Sequence, residues 1–127
     1  AISQWATVEA VLNSEQQIKQ TIEILKSRRD FILNELQSIE GISALTPQGA
    51  FYIWMDVKKY LGKKHKGLAL NDTSAMAKAL LETEMVAVVP GIEFGLEGYF
   101  RLSFALENSK AKTAIERMKK FFYGLQS

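Results

Sequence analysis

Residues 86–105 constrain the fold more than any other stretch of this chain, because they follow the order strand, glycine-rich turn, strand. The first part, residues 86–89, is a short valine-rich run, and β-branched side chains are typical of a buried strand. Pro90 and Gly91 end that strand, since proline has no N–H to donate and glycine permits a positive φ. We therefore predict two short strands joined by an irregular turn.

The second of these strands, residues 100–105, contains an arginine in apolar surroundings. Phe100, Leu102 and Phe104 point to one face of the strand, and Arg101 points to the other. A buried arginine is costly unless something pairs with it. Two alternatives are open. Arg101 lies near the sheet edge and meets water or an internal glutamate, or it binds an external anion, such as a carboxylate, through two parallel N–H···O bonds.

Composition narrows the classes of protein to which the chain can belong. Its 127 residues make one domain of ordinary size, and 47% hydrophobic with 24% charged residues argue against disorder. A net charge of +2 is too small to indicate nucleic acid, and no apolar run approaches the roughly 20 residues of a membrane span. Without cysteine, and with His65 as the only histidine, we expect neither a metal site nor a catalytic triad. The lack of cysteine also agrees with a cytoplasmic protein.

Two helices are predicted before the first strand. Apolar residues at helical spacing define a short helix over residues 2–12. A longer helix begins at Ser14, which forms a capping-box pattern with Gln17, and Gly41 is its expected C-cap. Within it, residues 28–30 carry two arginines and an aspartate, which we interpret as a solvated helix face with a local ion pair.

Two further helices are predicted in the second half of the chain. Asp72 caps a helix over residues 73–84, whose buried face is expected to contain Met76, Ala77, Leu80 and Leu81. Asn108 or Ser109 caps the last helix. That helix carries an apolar stripe typical of packing on a core: Ala111, Ala114, Ile115, Met118, Phe121, Phe122 and Leu125.

Two more strands and a basic segment lie between the second and third helices. Residues 42–45 predict a short edge strand, and residues 51–57 are so apolar that we expect a strand buried on both faces. Tyr52 is either a core aromatic or a site residue. Residues 58–72 lack a phosphate-loop motif and are interpreted as a mobile, solvated loop. The order of elements predicts an α+β fold with a small, mostly antiparallel sheet covered on one face by helices.

Four motifs in sequence order carry a family resemblance. They are TPQGAFY (residues 46–52), VAVVPG (86–91), FG (94–95) and RLS (101–103). In this order they resemble the C-terminal, small domain of class I aminotransferases, which are pyridoxal-phosphate enzymes of fold type I. The match is best with the bacterial aspartate aminotransferase branch, and it extends over nearly the whole chain.

The resemblance implies a function for Arg101 and a place for this chain in a larger enzyme. In the family, the arginine at this position binds the α-carboxylate of the amino-acid substrate, and the full-length enzyme uses pyridoxal phosphate to transfer the amino group to a 2-oxo acid. The large domain, with the cofactor lysine, is missing from this chain. We therefore expect no catalytic residue here, no cofactor bound to the isolated chain and no transaminase activity. The full-length enzyme is expected to be a homodimer.

An alternative from a different class is a stand-alone interaction or ligand-binding domain that keeps the fold without the chemistry. A native gene that continues upstream of Ala1 with the missing enzyme segments would support the aminotransferase, and a start codon near Ala1 would support the stand-alone domain. A basic nucleic-acid module is a third hypothesis with less support, since it requires binding that weakens steeply with salt. Aspartate, aromatic and prephenate-type substrates all remain open for the enzyme.

Overall fold

The computed structural model describes residues 1–127 and contains four helices, a four-stranded sheet and a small hairpin. The helices are α1 (Ile2–Asn13), α2 (Glu15–Gln37), α3 (Thr73–Glu84) and α4 (Asn108–Tyr123). The strands are β1 (Ser43–Ala44), β2 (Tyr52–Asp56), β3 (Lys64–His65), β4 (Leu68–Ala69), β5 (Val89–Pro90) and β6 (Tyr99–Ser103). Two short 3₁₀ helices, Lys58–Tyr60 and Gly91–Phe94, follow β2 and β5.

The main sheet has the strand order β1–β2–β6–β5, and every neighbouring pair is antiparallel. β2 and β6 pair along their whole length, starting with Tyr52 opposite Ser103. β5 pairs with the other side of β6, where Val89 lies opposite Arg101. The predicted α+β fold is confirmed, and the edge strand expected within residues 42–45 is β1.

One face of the sheet packs against helices and forms a single core of 22 buried residues. Ile53, Met55 and Phe100 are fully buried on this face. Most of the apolar stripe predicted for the last helix joins them, since α4 buries Ala111, Ile115, Met118, Phe121 and Phe122. The helices therefore cover one face of the sheet, and the side chains of the other face stay partly exposed.

The predicted caps of α2 were wrong in detail. Ser14 is the N-cap residue, but its hydroxyl donates to the carbonyl of Ala10 in α1, so no capping box with Gln17 forms. The helix ends at Gln37, and Gly41 lies in the turn beyond it with a φ of +77°. The hydroxyl of Ser14 bonds backwards because α1 runs almost directly into α2 and offers it a nearby carbonyl.

Neither α1 nor the first half of α2 contributes a fully buried residue to the core. α1 has no buried residue, and Ile18 and Ile22 in α2 are 53% and 44% exposed. The contacts of α2 with the core begin at the partly buried Leu25 and come mainly from Ile32, Leu33 and Leu36. Apolar spacing thus predicted these helices correctly, while burial depends on what lies next to them. No helix combines the length and apolar character needed to cross a membrane.

The caps of α3 and α4 show how local the capping signal is. The carboxylate of Asp72 accepts a hydrogen bond from a backbone N–H in the first turn of α3 at 2.7 Å, as predicted. Leu81, which was expected on the buried face, is instead 47% exposed. Adjacent side chains on a helix point about 100° apart, and here the preceding residue, Leu80, is the one that faces the core. α4 has Glu107 at its N-cap position, so the prediction of Asn108 or Ser109 was wrong by one or two residues.

Two strand predictions also need correction. β2 buries Ile53 and Met55 but leaves Tyr52 half-exposed, so this strand is buried on one face and not on both. The reason is that no α-helix covers the second face of the sheet. The strand predicted over residues 86–89 is shorter and later, since only Val89–Pro90 pairs with β6.

The basic segment after β2 is folded and is not the solvated loop that we predicted from residues 58–72. β3 and β4 form a hairpin, and Tyr60 and Leu70 are 4% and 0% exposed. Lys64 and Gln126 exchange two backbone hydrogen bonds, of 2.7 and 2.9 Å, which join the hairpin to the end of the chain. The lysines misled the prediction because their charged ends are solvated while the residues between them pack on the core.

Candidate anion-binding site

The open face of the sheet is lined by alternate residues of the two central strands. They are, in β2 and then β6, Tyr52, Trp54, Asp56, Tyr99, Arg101 and Ser103. Trp54 lies directly opposite Arg101 on one side, and Val89 lies opposite it on the other. Since β6 has a neighbouring strand on each side, Arg101 stands near the middle of the sheet and not at its edge.

The guanidinium of Arg101 has aromatic neighbours and no acidic partner. Its central carbon lies 4.3 Å from the ring centroid of Tyr52 and 4.3 Å from that of Phe94. None of the nine ion pairs of the chain involves Arg101. The alternative in which an internal glutamate pairs with Arg101 is therefore wrong. The half-buried guanidinium keeps its N–H donors free for water or for an external anion.

A shallow pocket of about 270 Å³ opens beside Arg101. It is lined by Tyr52, Ala87, Val88, Val89, Arg101 and Ser103. Arg101 is the only charged residue among them, so the pocket favours an anion. A planar guanidinium with free donors binds a carboxylate through two parallel hydrogen bonds, which fix its orientation as well as its position.

The 3₁₀ helix after β5 brings Phe94 to Arg101. A Cβ at Gly91 would overlap the carbonyl oxygen of Leu96 within the turn and would lie 2.9 Å from that of Tyr99. Glycine therefore lets the turn close on itself and lie directly against β6. The ring of Phe94 then meets Trp54 edge to face, with 5.5 Å between centroids. The glycine-rich turn therefore has a clear structural effect, since it places one aromatic ring on the guanidinium.

Glu97 fastens the end of this turn to α3. Its Oε1 atom accepts hydrogen bonds from the backbone N–H of Thr73 at 2.8 Å and of Gly98 at 2.9 Å. Burial raises the pKa of Glu97, but the hydrogen bonds from Thr73 and Gly98 outweigh it and hold the pKa below the ordinary value of 4.5. The ionised carboxylate thus stabilises the turn that carries Phe94.

We expect this contact to make the fold sensitive to acid. Because the pKa of Glu97 is lower in the folded chain, its stabilisation is fully present above the ordinary value of 4.5 and is lost as the pH falls through the lower folded value. Urea unfolding between about pH 5 and about pH 3 should show a steeper loss of the free energy of unfolding for the wild type than for Glu97→Gln. The glutamine amide oxygen still accepts hydrogen bonds but does not titrate. Equal slopes for the two proteins would contradict the assignment.

Lys58 lies at one end of the open face and is held as a cation. Its Nζ atom donates to the Tyr99 hydroxyl at 2.6 Å and to Asp56 Oδ2 at 3.1 Å. The hydrogen bonds with Tyr99 and then Asp56 raise the pKa of Lys58 above the usual lysine range. A protonated amine is not a nucleophile, so Lys58 is poorly suited to covalent catalysis.

The other polar residues singled out from the sequence serve local structure. Arg29 pairs with Asp30 at 2.8 Å, so the predicted local ion pair is confirmed. The helix face is less solvated than predicted, since the Arg29 side chain is only 21% exposed and also donates to the carbonyl of Pro47 at 3.1 Å. His65 packs its ring on Phe121, with 5.2 Å between centroids. The chain contains no group of three or more side chains arranged to hold a metal ion.

Sequence reasoning identified Arg101 and missed the aromatic residues around it. The sequence leaves Tyr52 open between core and site, gives Trp54 no role, and marks Phe94 only through the FG motif of the family resemblance. Strict alternation within β2 was a usable signal, since it places Tyr52 and Trp54 on the face opposite the buried Ile53. No comparable signal exists for Phe94, because an irregular turn has no period that reports where a side chain points.

Comparisons with known proteins point to one family. The family model "Aminotransferase class I and II" matches residues 1–118. The chain is 40% identical over 121 residues to the probable aspartate/prephenate aminotransferase of Rickettsia bellii, covering 94% of this chain and 30% of that protein. It is 36% identical over 126 residues to the aspartate/prephenate aminotransferase of Cereibacter sphaeroides, covering 98% of this chain and 32% of that protein.

Solved structures agree with the sequence matches. The aspartate aminotransferase from Rhizobium meliloti superposes with a TM-score of 0.93 at 36% identity, covering 98% of this chain and 32% of that one. The alanine aminotransferase from Pyrococcus furiosus gives a TM-score of 0.82 at 29% identity, covering 94% of this chain and 29% of that one. The chain spans about a third of the length of these relatives. The resemblance inferred from the four motifs is confirmed.

Proposed function

Because this chain belongs to the aminotransferase class I and II family, we propose that it is the C-terminal, small domain of an aspartate aminotransferase-type enzyme in which Arg101 binds the α-carboxylate of the substrate. The observation that carries the proposal is the guanidinium of Arg101, which lies over two aromatic rings on the open face and has no acidic partner. A partly buried cation without an acidic partner favours an anionic ligand, which supplies the missing ion pair.

The proposed enzyme transfers an amino group between an amino acid, such as aspartate, and a 2-oxo acid, such as 2-oxoglutarate. Both reactants carry a carboxylate beside the reacting carbon, so the same arginine can bind each in turn. Two parallel N–H···O bonds from Arg101 fix the plane of that carboxylate and, with it, the direction of the α-carbon. Pyridoxal phosphate, which the family implies, supplies the electron sink at that carbon. Arg101 contributes binding and orientation and moves no proton.

The residues of this chain do not by themselves fit that cofactor. Enzymes hold pyridoxal phosphate through a lysine amine, and no lysine lines the pocket beside Arg101. Lys58 is paired with Tyr99 and Asp56, and its pKa is raised, so it offers no free amine. We therefore assign the cofactor lysine and the phosphate-binding residues to a large domain of the same polypeptide outside these 127 residues.

The purified chain is accordingly expected to show no transaminase activity. The assay supplies aspartate, 2-oxoglutarate and pyridoxal phosphate and follows oxaloacetate through a coupled dehydrogenase. A complete aminotransferase of the same family, assayed in parallel, shows that the assay works. We also expect only weak binding of pyridoxal phosphate in an absorbance titration, since the chain presents no suitable amine. Turnover by the purified chain above the protein-free blank would contradict this part of the proposal.

The intact mass of the native gene product tests the proposed domain assignment. A polypeptide of about three times the 14.3 kDa of this chain supports the enzyme, since the chain covers 30% of its Rickettsia bellii relative. We then expect a cytoplasmic homodimer associated largely through its large domains, and relative kcat/KM values would rank aspartate, aromatic and prephenate-type substrates. A native product as short as this chain would instead support a stand-alone ligand-binding domain.

A further inference from the structure

We propose that Tyr52 and Phe94 are positioning residues that hold the guanidinium of Arg101 in one orientation, so that its donors face the incoming carboxylate. This inference rests on the proposed function of Arg101 and extends it to the two aromatic residues that contact its guanidinium. It follows from the two 4.3 Å distances between the guanidinium carbon and the ring centroids.

The distances place both rings within cation–π range of the guanidinium. Arginine stacks on aromatic faces with the flat side of its guanidinium, and its N–H donors lie in the guanidinium plane. Aromatic neighbours can therefore restrain the side chain without using any of its donors. An acidic partner would restrain Arg101 equally well, but it would occupy the donors that a carboxylate ligand needs.

Each ring is itself held by the fold. Tyr52 belongs to β2, where pairing with Ser103 of β6 fixes its backbone. Phe94 comes from the 3₁₀ helix that packs against β6, and its ring forms a T-shaped pair with that of Trp54 at 5.5 Å between centroids. The two rings thus reach Arg101 from separate parts of the chain, and both parts are tied to the strand that carries Arg101.

The energetic reason for such restraint is the conformational entropy of arginine. A free arginine side chain populates many rotamers, and ordering it on ligand binding costs affinity. Restraint in the unliganded protein removes part of that cost before the carboxylate arrives. The loss of one ring should therefore weaken carboxylate binding moderately, about two- to fivefold, and should leave the charge of the site unchanged.

The test uses the chain labelled with ¹⁵N-arginine, with the Nε–H signal of Arg101 assigned by its loss in Arg101→Lys. The variants are Phe94→Leu and Tyr52→Leu, with Phe94→Tyr as the conservative rescue and Ile92→Ala as a matched control. Ile92 lies in the same 3₁₀ helix and is 45% exposed, so its truncation perturbs the turn without removing a ring from Arg101. Circular dichroism and urea unfolding establish that each variant is folded.

Without ligand, we expect the Arg101 signal to move toward the position of unstructured arginine in both leucine variants and to stay in place in Phe94→Tyr and Ile92→Ala. With maleate added at constant ionic strength, we expect about two- to fivefold weaker binding in the leucine variants only. An Arg101 signal that both leucine variants leave unchanged would overturn the inference. If the signal responds to both rings but the wild type binds no maleate, the positioning role stands and Arg101 does not bind a carboxylate in this chain by itself.

Discussion

Replacement of Arg101 with alanine in the complete enzyme is expected to lower kcat/KM for the amino-acid substrate by about 30-fold to a few thousand-fold. This range corresponds to about 2–5 kcal/mol, the usual effect of removing one partner of a desolvated, hydrogen-bonded charge pair. KM should rise most, because the carboxylate contact exists both in the bound substrate and in the transition state. Some loss of kcat is expected as well, since the carboxylate also orients the α-carbon.

Two further variants make this result specific. Arg101→Lys keeps the charge but loses the planar pair of donors, so we expect an intermediate loss of kcat/KM. Arg117→Ala is the matched control, since it removes the same charge from an exposed position on α4. Steady-state kinetics with both the amino acid and the 2-oxo acid are needed, because the same arginine should bind both. A kcat/KM of Arg101→Ala equal to that of the Arg117→Ala control would show that Arg101 does not bind the substrate.

Truncation of Phe100 to alanine is expected to remove about 3–5 kcal/mol from the free energy of unfolding, a typical effect for a buried phenylalanine. Phe100 is 0% exposed on the covered face of β6, directly beside Arg101 in the sequence. Its cross-strand neighbours are Met55 and Pro90, so its removal leaves a cavity between the sheet and the helices. Domains of this size unfold with about 5–15 kcal/mol, so this change is a large fraction of the total free energy of unfolding.

Urea unfolding followed by circular dichroism measures this change. Phe51→Ala is the control, because Phe51 is 43% exposed and its truncation should cost about 1 kcal/mol or less. Phe100→Leu should fall between the control and Phe100→Ala, since leucine fills part of the cavity. A change for Phe100→Ala no larger than that for Phe51→Ala would show that the covered face of the sheet is not the core. The same strand would then need a different orientation, which would also move Arg101.

Local patterns in the sequence predicted most of the elements. The alternation around Arg101 and the stripe of α4 each report a period, and a period depends only on neighbouring residues. The cap at Asp72 was predictable for the same reason, since its carboxylate reaches a backbone N–H in the next turn. The family resemblance likewise came from short motifs in sequence order, and the family match over residues 1–118 confirms it.

Predictions failed where the answer depended on what lies across space. The sequence of α2 is apolar at helical spacing throughout, yet Ile18 is 53% exposed because nothing in this chain packs on it. β2 was expected to be buried on both faces, and the segment after it to be a loop, because composition does not show which face a helix covers. The same limit applied to Phe94, whose ring reaches Arg101 through an irregular turn.

The α+β class, the family and the face of β6 on which Arg101 stands were all predictable from the amino-acid sequence, because each follows from local periods or from an ordered set of motifs. The absence of an acidic partner for Arg101, and its position over Tyr52 and Phe94, became visible only in the folded chain. Those relations join strands and a turn that are distant in the chain, and they depend on strand order and on the close approach that Gly91 permits. Contacts between distant segments have no period, so they become visible only when the chain is folded.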